Sequence, residues 1–180
     1  MTNKEFADKY GQAAVNATAG SGIYPETLLS QAILESRSGK SELASKYNNF
    51  FGIKADKSWT GAKVVMRTRE VQNGKSVYID SAFRKYNTPV ESFKDYVSFL
   101  KKNPRYTKAG VFKATNFNEQ IDAIAKSGYA TATNYAASVK KVASNLVDSL
   151  KKFVPSKETT IAFIPVIAIL GFILYIKYSK

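Results

Sequence analysis

Glu35 is the residue whose type and position best suit catalysis, because it closes an apolar run that begins at Pro25. Leu28, Ala32 and Glu35 are spaced i, i+4 and i+7, which places the carboxylate on the helix face that turns toward a core. Partial burial and the nearby helix C-terminus both disfavour a negative charge, so both raise the pKa of a carboxyl group. A carboxylic acid that keeps its proton near neutral pH can protonate a leaving oxygen, as a general acid must. The alternative is an ordinary solvated glutamate at a helix end, since glutamate is rarely buried.

The composition of the chain narrows the available chemistry to carboxylates. The 180 residues include no cysteine and no histidine, which excludes thiolate nucleophiles, imidazole bases and the usual zinc ligand sets. We therefore expect neither a metal nor a cofactor. The net charge of +13 suits an anionic partner such as nucleic acid, an acidic membrane surface or a bacterial wall. The scatter of the basic residues and the lack of a binding motif argue against nucleic acid.

A second carboxylate, Glu70, lies in a β-rich stretch. Apolar and polar residues alternate between Ala62 and Ser81, and the pair Asn73-Gly74 interrupts them, which is a strong hairpin signal. Glu70 is therefore predicted near the tip of a β-hairpin. A charge on an edge strand also discourages aggregation, and that role stays open at this point.

Helical patterns fill most of the remaining sequence and would position these groups. A capping-box spacing at Thr2 begins a first helix that ends at Gly20, and Pro25 begins the helix that carries Glu35. The stretch 48–54, Asn-Asn-Phe-Phe-Gly-Ile-Lys, is predicted as a loop that either holds aromatic rings beside Glu35 or forms a packed turn. Further helices are predicted over about 41–46, 89–102 and 116–126, and from 134 onward.

The last part of the chain predicts a membrane anchor. Residues 159–176 are uncharged and mostly apolar, long enough to cross a hydrocarbon core of about 30 Å. A buried hairpin helix or a peripheral amphipathic segment is the alternative. The N-terminal residues show no apolar run of the signal-peptide type, and lysines on both sides of the span leave its orientation open. The predicted organisation is a folded domain over 1–152, a linker over 153–158 and a transmembrane helix over 159–177.

Four segments, in this order along the chain, resemble a known enzyme family. They are 31–36 with Glu35, the aromatic loop 48–54, Phe-Arg-Lys-Tyr at 83–86, and the tyrosine-containing stretch 129–136. Together they resemble the peptidoglycan-cleaving glucosaminidases of glycoside hydrolase family 73, which are related to the wall-hydrolysing domain of flagellar rod proteins. The resemblance covers most of residues 1–150. It implies a mainly α (α+β) fold, a lysozyme-like helical domain with a small β-hairpin lobe.

The resemblance also implies roles for individual residues. Glu35 would be the general acid, and Glu70 the second carboxylate that activates water or stabilises an oxocarbenium-like charge. Aromatic rings pack well against sugars. Two dipeptides depart from the family pattern: Arg37-Ser38 stands where the family usually has Gly-Trp, and Ala132-Thr133 where it has Asp-Pro. Substrate contacts are implied for Tyr129, Phe51, Tyr135 and Asn49.

The function implied is a membrane-anchored glycosidase that cuts the β-1,4 glycan strand of bacterial peptidoglycan, as an N-acetylglucosaminidase rather than a muramidase. One alternative is a lytic transglycosylase, which works with a single glutamate and leaves an anhydro sugar. Another is a catalytically inactive wall-binding or virion structural protein. The expected partners are glycan strands and a lipid membrane. That membrane would be the virion membrane of a lipid-containing bacteriophage, where the protein opens the wall during entry or exit, or a bacterial inner membrane facing the wall.

Overall fold

A computed structural model of the chain describes residues 1–72, 75–130 and 132–154, with only the backbone described for 69–72 and 75. Over these ranges the chain is mainly helical with one β-hairpin, which confirms the predicted α+β class. The helices are α1 (Asn3–Thr18), α2 (Pro25–Ser36), α3 (Glu42–Tyr47), α4 (Pro89–Lys102), α5 (Pro104–Lys108), α6 (Phe117–Lys126) and α7 (Tyr135–Lys151). The strands are β1 (Lys63–Gln72) and β2 (Lys75–Arg84).

Side-chain caps fix where the helices begin. The hydroxyl of Thr2 accepts from the backbone N–H of Glu5, and the Glu5 carboxylate accepts from the backbone N–H of Thr2, so the predicted capping box is formed. Single side-chain caps open three further helices at Ser41, Thr88 and Asn116. Helix α5 was not predicted, because Asn103-Pro104 was interpreted as the end of α4. Pro104 instead occupies the first turn of a new short helix.

Helix α2 runs through the core, so the surrounding elements hold its last turn in place. Leu28, Leu29 and Ala32 have no solvent exposure, and α2 packs against α1, α6 and α7. Aromatic rings from other elements complete the same core, among them Phe6, Phe50, Phe93 and Tyr96. The C-terminal end of α2, where Glu35 lies, is thus fixed from several sides.

The hairpin is attached to this helical body at its base. Strands β1 and β2 pair antiparallel, with Lys63 opposite Arg84 and Gln72 opposite Lys75. The predicted turn residues, 73 and 74, lie outside the described residues. Backbone hydrogen bonds join β2 to the loop that precedes the hairpin, from Arg84 to Ile53 and from Ala55 to Ala82.

The folded domain continues to Phe153, one residue beyond the predicted boundary at 152. The ring of Phe153 packs over Gly11 of α1, where a Cβ atom would lie 2.3 Å from the ring. Lys152 also pairs with Asp8 of α1 at 2.5 Å. The predicted transmembrane helix, 159–177, lies outside the described residues. Within the ranges that are described, no helix is both long and apolar enough to cross a membrane.

Candidate active site

Glu35 lies in the last turn of α2, at the surface of the domain. The helix ends at Arg37, which adopts a left-handed conformation (φ 53°), so Glu35 is close to the negative end of the helix dipole. Its side chain remains exposed to solvent, but protein atoms crowd around the carboxyl group. This burial raises the pKa of Glu35, and a hydrogen bond from Tyr135 acts in the opposite direction. The net effect is a pKa above the ordinary value for a glutamate, with desolvation as its main cause.

Two hollows meet at Glu35. One, of about 410 Å³, is lined on its walls by Phe51, Arg84 and Tyr129. The other, of about 300 Å³, is lined by Arg37 and Met66, among others. Glu35 contributes to both hollows, so it stands in the middle of a groove rather than at its end. A carboxyl group in that position can reach a bond within a bound polymer.

The direct partner of Glu35 comes from α7. The hydroxyl of Tyr135 donates a hydrogen bond to Oε1 of Glu35 at 3.1 Å and accepts one from Nε2 of Gln31 at 2.8 Å. Oε1 of Gln31 in turn accepts from the hydroxyl of Tyr96. Tyr135 was predicted as a sugar contact, whereas Gln31 and Tyr96 were not predicted to take part in the site. The signal available in the sequence was a glutamine one turn before Glu35, next to the apolar residues Ala32 and Ile33.

Tyr129 stands beside Tyr135, and both belong to the tyrosine-containing stretch 129–136. The two rings stack with centroids 5.7 Å apart, and Tyr129 also contacts the rings of Tyr96 and Tyr106. Burial raises the pKa of Tyr129 well above its ordinary value, so its hydroxyl stays neutral and can donate a hydrogen bond. Thr131 of the same segment lies outside the described residues. The structure thus brings Tyr129, Tyr135 and Glu35 together.

The loop 48–54 is mainly a packed turn, one of the two alternatives considered. Phe51 is 6% exposed and stacks on Tyr96 at 4.0 Å, so only an edge of it borders the groove. Asn49 is 1% exposed, and its side-chain amide donates to the carbonyls of Ile53 (3.0 Å) and Arg84 (2.8 Å). Its oxygen accepts from the backbone N–H of Ile53. The Asn49 side chain is therefore committed to the loop, and the sugar contact implied for it would require breaking these bonds.

Arg84 lines the same hollow as Tyr129 and contacts three neighbouring side chains. Its guanidinium donates two hydrogen bonds to Asp95 of α4, at 3.0 and 2.8 Å, and one to Asp56 at 3.3 Å. It also lies over the ring of Trp59 at 4.5 Å. These contacts hold Asp56 at the groove, where it is a second carboxylate in the same hollow as Glu35. Hydrogen bonds from Ser58, and then Arg84, hold the pKa of Asp56 below its ordinary value, so it is ionised near neutral pH.

Glu70 lies in β1 opposite Val77, three residues before the predicted turn begins at position 73. Its role as the second catalytic carboxylate stays a prediction.

Comparison with known proteins adds to this geometry. The family described as mannosyl-glycoprotein endo-beta-N-acetylglucosaminidase matches residues 11–147. Peptidoglycan hydrolase FlgJ of Vibrio cholerae is 39% identical over 144 residues, which are 78% of this chain and 43% of that protein. Exo-glucosaminidase LytG of Bacillus subtilis is 39% identical over 123 residues, which are 67% of this chain and 43% of that protein. The chain therefore spans less than half the length of these two curated relatives.

A solved structure shows the same arrangement of elements. The glycoside hydrolase domain of FlgJ from Salmonella typhimurium, in a C-terminally truncated form, superposes with a TM-score of 0.68 at 33% sequence identity. The match covers 82% of this chain and 99% of that domain.

Proposed function

Because this chain belongs to the glucosaminidase family, glycoside hydrolase family 73 with a lysozyme-like fold, we propose that it hydrolyses the β-1,4 glycan strand of bacterial peptidoglycan. We favour the bond that follows N-acetylglucosamine over the one that follows N-acetylmuramic acid. The net charge of +13 supports a polyanionic wall as the substrate. The observation that carries the proposal is the protonation-prone carboxyl group of Glu35 in the middle of an open groove.

In this reaction Glu35 acts as the general acid. Its proton passes to the glycosidic oxygen, the bond from that oxygen to the anomeric carbon breaks, and the leaving sugar departs as an alcohol. Positive charge develops on the anomeric carbon and ring oxygen, and a water molecule supplies the hydroxyl group that restores neutrality. The second proton of that water passes to a carboxylate. Tyr129 lines the hollow in which the sugar would lie, and Tyr135 stacks against it and bonds to Glu35.

The central test replaces Glu35 by glutamine, which keeps the shape of the side chain but has no acidic proton. Glu35→Gln should reduce lysis of purified cell walls by about 10² or more while the protein stays folded. Asp148→Asn removes one carboxylate at an exposed surface pair with Lys151 and should leave the lytic rate unchanged. Near wild-type lysis by folded Glu35→Gln protein would overturn the assignment of the acid. It would also leave the inactive wall-binding alternative without support, since the protein would be lytic.

The second carboxylate has two candidates, and their variants discriminate between them. Glu70 is implied by the family resemblance, and its backbone lies in β1 opposite Val77. Asp56 is an ionised carboxylate in the same hollow as Glu35. Glu70→Gln and Asp56→Asn should be assayed side by side with product analysis. A sharp loss of turnover in one of the two variants, with reducing-end products remaining, identifies the carboxylate that accepts the proton of the attacking water.

A lytic transglycosylase is the competing reaction, because it needs one acid/base glutamate and no water. Mass spectrometry of the digest separates the two, since a transglycosylase leaves a 1,6-anhydro sugar and a hydrolase leaves a reducing end. Full activity of both Glu70→Gln and Asp56→Asn, with anhydro products, would replace hydrolysis by transglycosylation. The same products identify which of the two glycosidic bonds is cut.

We also propose that residues 159–177 anchor the protein in a membrane. The support is the uncharged, mostly apolar sequence of residues 159–176, which Tyr and Lys residues of the kind found at membrane interfaces follow at 177–180. A lipid-containing bacteriophage virion is the favoured setting, and a bacterial inner membrane that faces the wall is the other. The full chain should float with liposomes in a density gradient, and a fragment that ends at residue 154 should not. Equal flotation of both would contradict the anchor.

A further inference from the structure

A continuous chain of hydrogen bonds runs from the buried core to the carboxyl group of Glu35. The hydroxyl of Tyr96 donates to Oε1 of Gln31, Nε2 of Gln31 donates to the hydroxyl of Tyr135, and that hydroxyl donates to Oε1 of Glu35. Tyr96 has no solvent exposure and Gln31 is 1% exposed, so water does not compete for these groups. The three elements involved, α2, α4 and α7, are separate in sequence and meet at this point.

Because Tyr96 is buried, its hydroxyl group determines the orientation of the side-chain amide of Gln31. When Oε1 of Gln31 faces Tyr96, the hydroxyl hydrogen of Tyr96 has an acceptor. With the amide reversed, Nε2 would face Tyr96, and that hydrogen would have no acceptor among the described residues. A buried donor without a partner is expensive, so Gln31 is held in the orientation observed. Its Nε2 must then point at Tyr135.

The orientation of Gln31 determines what Tyr135 can do. A phenol has one hydrogen to donate, and the hydrogen arriving from Gln31 occupies the side of the oxygen that faces the amide of Gln31. The hydrogen of Tyr135 is therefore directed at Oε1 of Glu35. A proton placed on that same oxygen would meet the hydrogen of Tyr135 head-on.

We propose that Gln31 is a positioning residue which fixes the direction of this chain, so that Oε1 of Glu35 always accepts and the acidic proton is carried by Oε2. The proposal rests on the proposed function, in which Glu35 is the acid, and it specifies which oxygen delivers the proton. Within the described residues, Oε2 makes no hydrogen bond to the protein, so it is the oxygen left for the substrate. Without Gln31, the hydroxyl of Tyr135 would rotate freely and could accept the proton of Glu35 itself.

Other ionisable groups around Glu35 are the same in every variant used below. Tyr129 and Tyr106 line the same hollow as Glu35. The charged side chains that border the two hollows are Arg84, Arg105, Lys54 and Asp56 on one side and Arg37 and Glu42 on the other. Their influence on the titration of Glu35 therefore does not differ between wild type and variants.

The test is a titration of Glu35 in the full-length protein by carbon-13 NMR of labelled glutamate side chains, with the signal assigned from Glu35→Gln. Tyr135→Phe removes the donor to Glu35 and should raise the titration midpoint by about one pH unit or more. Gln31→Met should raise it by a smaller, measurable amount, because the released hydroxyl of Tyr135 stabilises the protonated form. On cell walls, Gln31→Met should lower kcat with little change in KM.

Gln120→Met is the matched control. Gln120 is another fully buried glutamine, and its side chain bonds only to backbone groups of Tyr24, Gly22 and Val111. The same substitution there should destabilise the fold and leave the midpoint of Glu35 where it is in the wild type. An equal shift in Gln31→Met and Gln120→Met would show that loosening of the core, and not the chain, moves Glu35. That result would overturn the proposal.

Two further outcomes complete the test. An unchanged midpoint in folded Gln31→Met, together with a raised one in Tyr135→Phe, would show that Gln31 does not direct Tyr135. If Gln31→Met does not fold, Tyr96→Phe takes its place, since it removes the donor that orients Gln31 and should shift the midpoint in the same direction. The titration needs no substrate, so it can succeed even if Glu35→Gln protein proves lytic and the proposed function fails.

Discussion

Two opposing requirements meet in the side chain of Glu35. The proposed role as an acid requires a carboxyl group that keeps its proton, and burial by the groove walls acts in that direction by raising the pKa of Glu35. Folding favours the opposite environment, because a desolvated carboxylate costs free energy when it ionises. The hydrogen bond from Tyr135 offsets part of that cost. A residue selected for chemistry alone is therefore expected to lower the stability of the domain.

The effect of Glu35 on the stability of the domain depends on pH, and its direction follows from the raised pKa. The pKa of Glu35 is raised on folding, so folding is favoured where the group is protonated and loses that advantage as pH rises from the unfolded value through the folded one. Glu35→Gln cannot ionise, so it should melt at a higher temperature than wild type at pH 7, and the two should converge near pH 4. Calorimetry at several pH values measures this. A Glu35→Gln protein less stable than wild type at pH 7 would contradict the prediction.

Sequence spacing predicted Glu35 as a candidate but gave no indication of its partners. The helical period that put Glu35 on the face of Leu28 and Ala32 is a local property of the eight residues 28–35. Tyr135 lies 100 residues away along the chain, and nothing in the spacing indicates that its hydroxyl meets Glu35. The bond between Tyr96 and Gln31, 65 residues apart, is invisible for the same reason. Such contacts follow from the packing of α2 against α4 and α7, which only the folded structure shows.

At the scale of elements, local signals predicted boundaries well where a cap or proline marked them. Helix α4 begins at Pro89 and ends at Lys102 as the pattern indicated, because Thr88 caps it and Asn103 ends it. The loop 48–54 was harder, since its aromatic residues suit either a groove or a core. The side chain of Asn49, which bonds three backbone groups of the loop and hairpin, favours the packed turn. The deciding contact is made with the backbone of Arg84, at the end of β2, and it forms only when the hairpin packs against the loop.

The loop therefore gives a prediction at the scale of elements. Asn49→Ala should lower the free energy of unfolding by about 2–3 kcal/mol, because two carbonyls and one N–H lose their partner in a buried setting. Lytic activity should fall with it, since Phe51 and Gly52 of the same loop border the groove. Denaturant unfolding measures the first effect and wall lysis the second.

Asn16→Ala provides the comparison for the loop variant. Asn16 is exposed on α1 and bonds only to Gln12, so the same substitution there should change the stability by less than about 0.5 kcal/mol. Equal stabilities of the two variants would mean that the Asn49 side chain does not hold the loop.

At the scale of the whole molecule, the last helix of the domain, α7, packs against the first, α1. Lys152 pairs with Asp8, and the ring of Phe153 and the side chain of Leu150 both lie against Gly11. Composition suggested a linker from residue 153, because the helical period fades there and Pro155 follows. The structure places Phe153 on the domain, since the absence of a side chain at Gly11 leaves a surface that its ring covers. The folded unit and the proposed anchor are therefore separated by fewer residues than the sequence pattern indicated.

The length of the folded unit can be tested with three fragments. A fragment of residues 1–154 should fold, remain soluble without detergent and lyse walls, because it contains every described contact of the groove. Shortening it to 1–153 should change nothing, since Val154 is 50% exposed. Shortening it to 1–152 removes the ring that covers Gly11 and should cost about 1–2 kcal/mol of stability, the scale for partial burial of one phenylalanine. Thermal unfolding of the three fragments measures the steps, and equal melting temperatures for 1–152 and 1–154 would place Phe153 outside the folded unit.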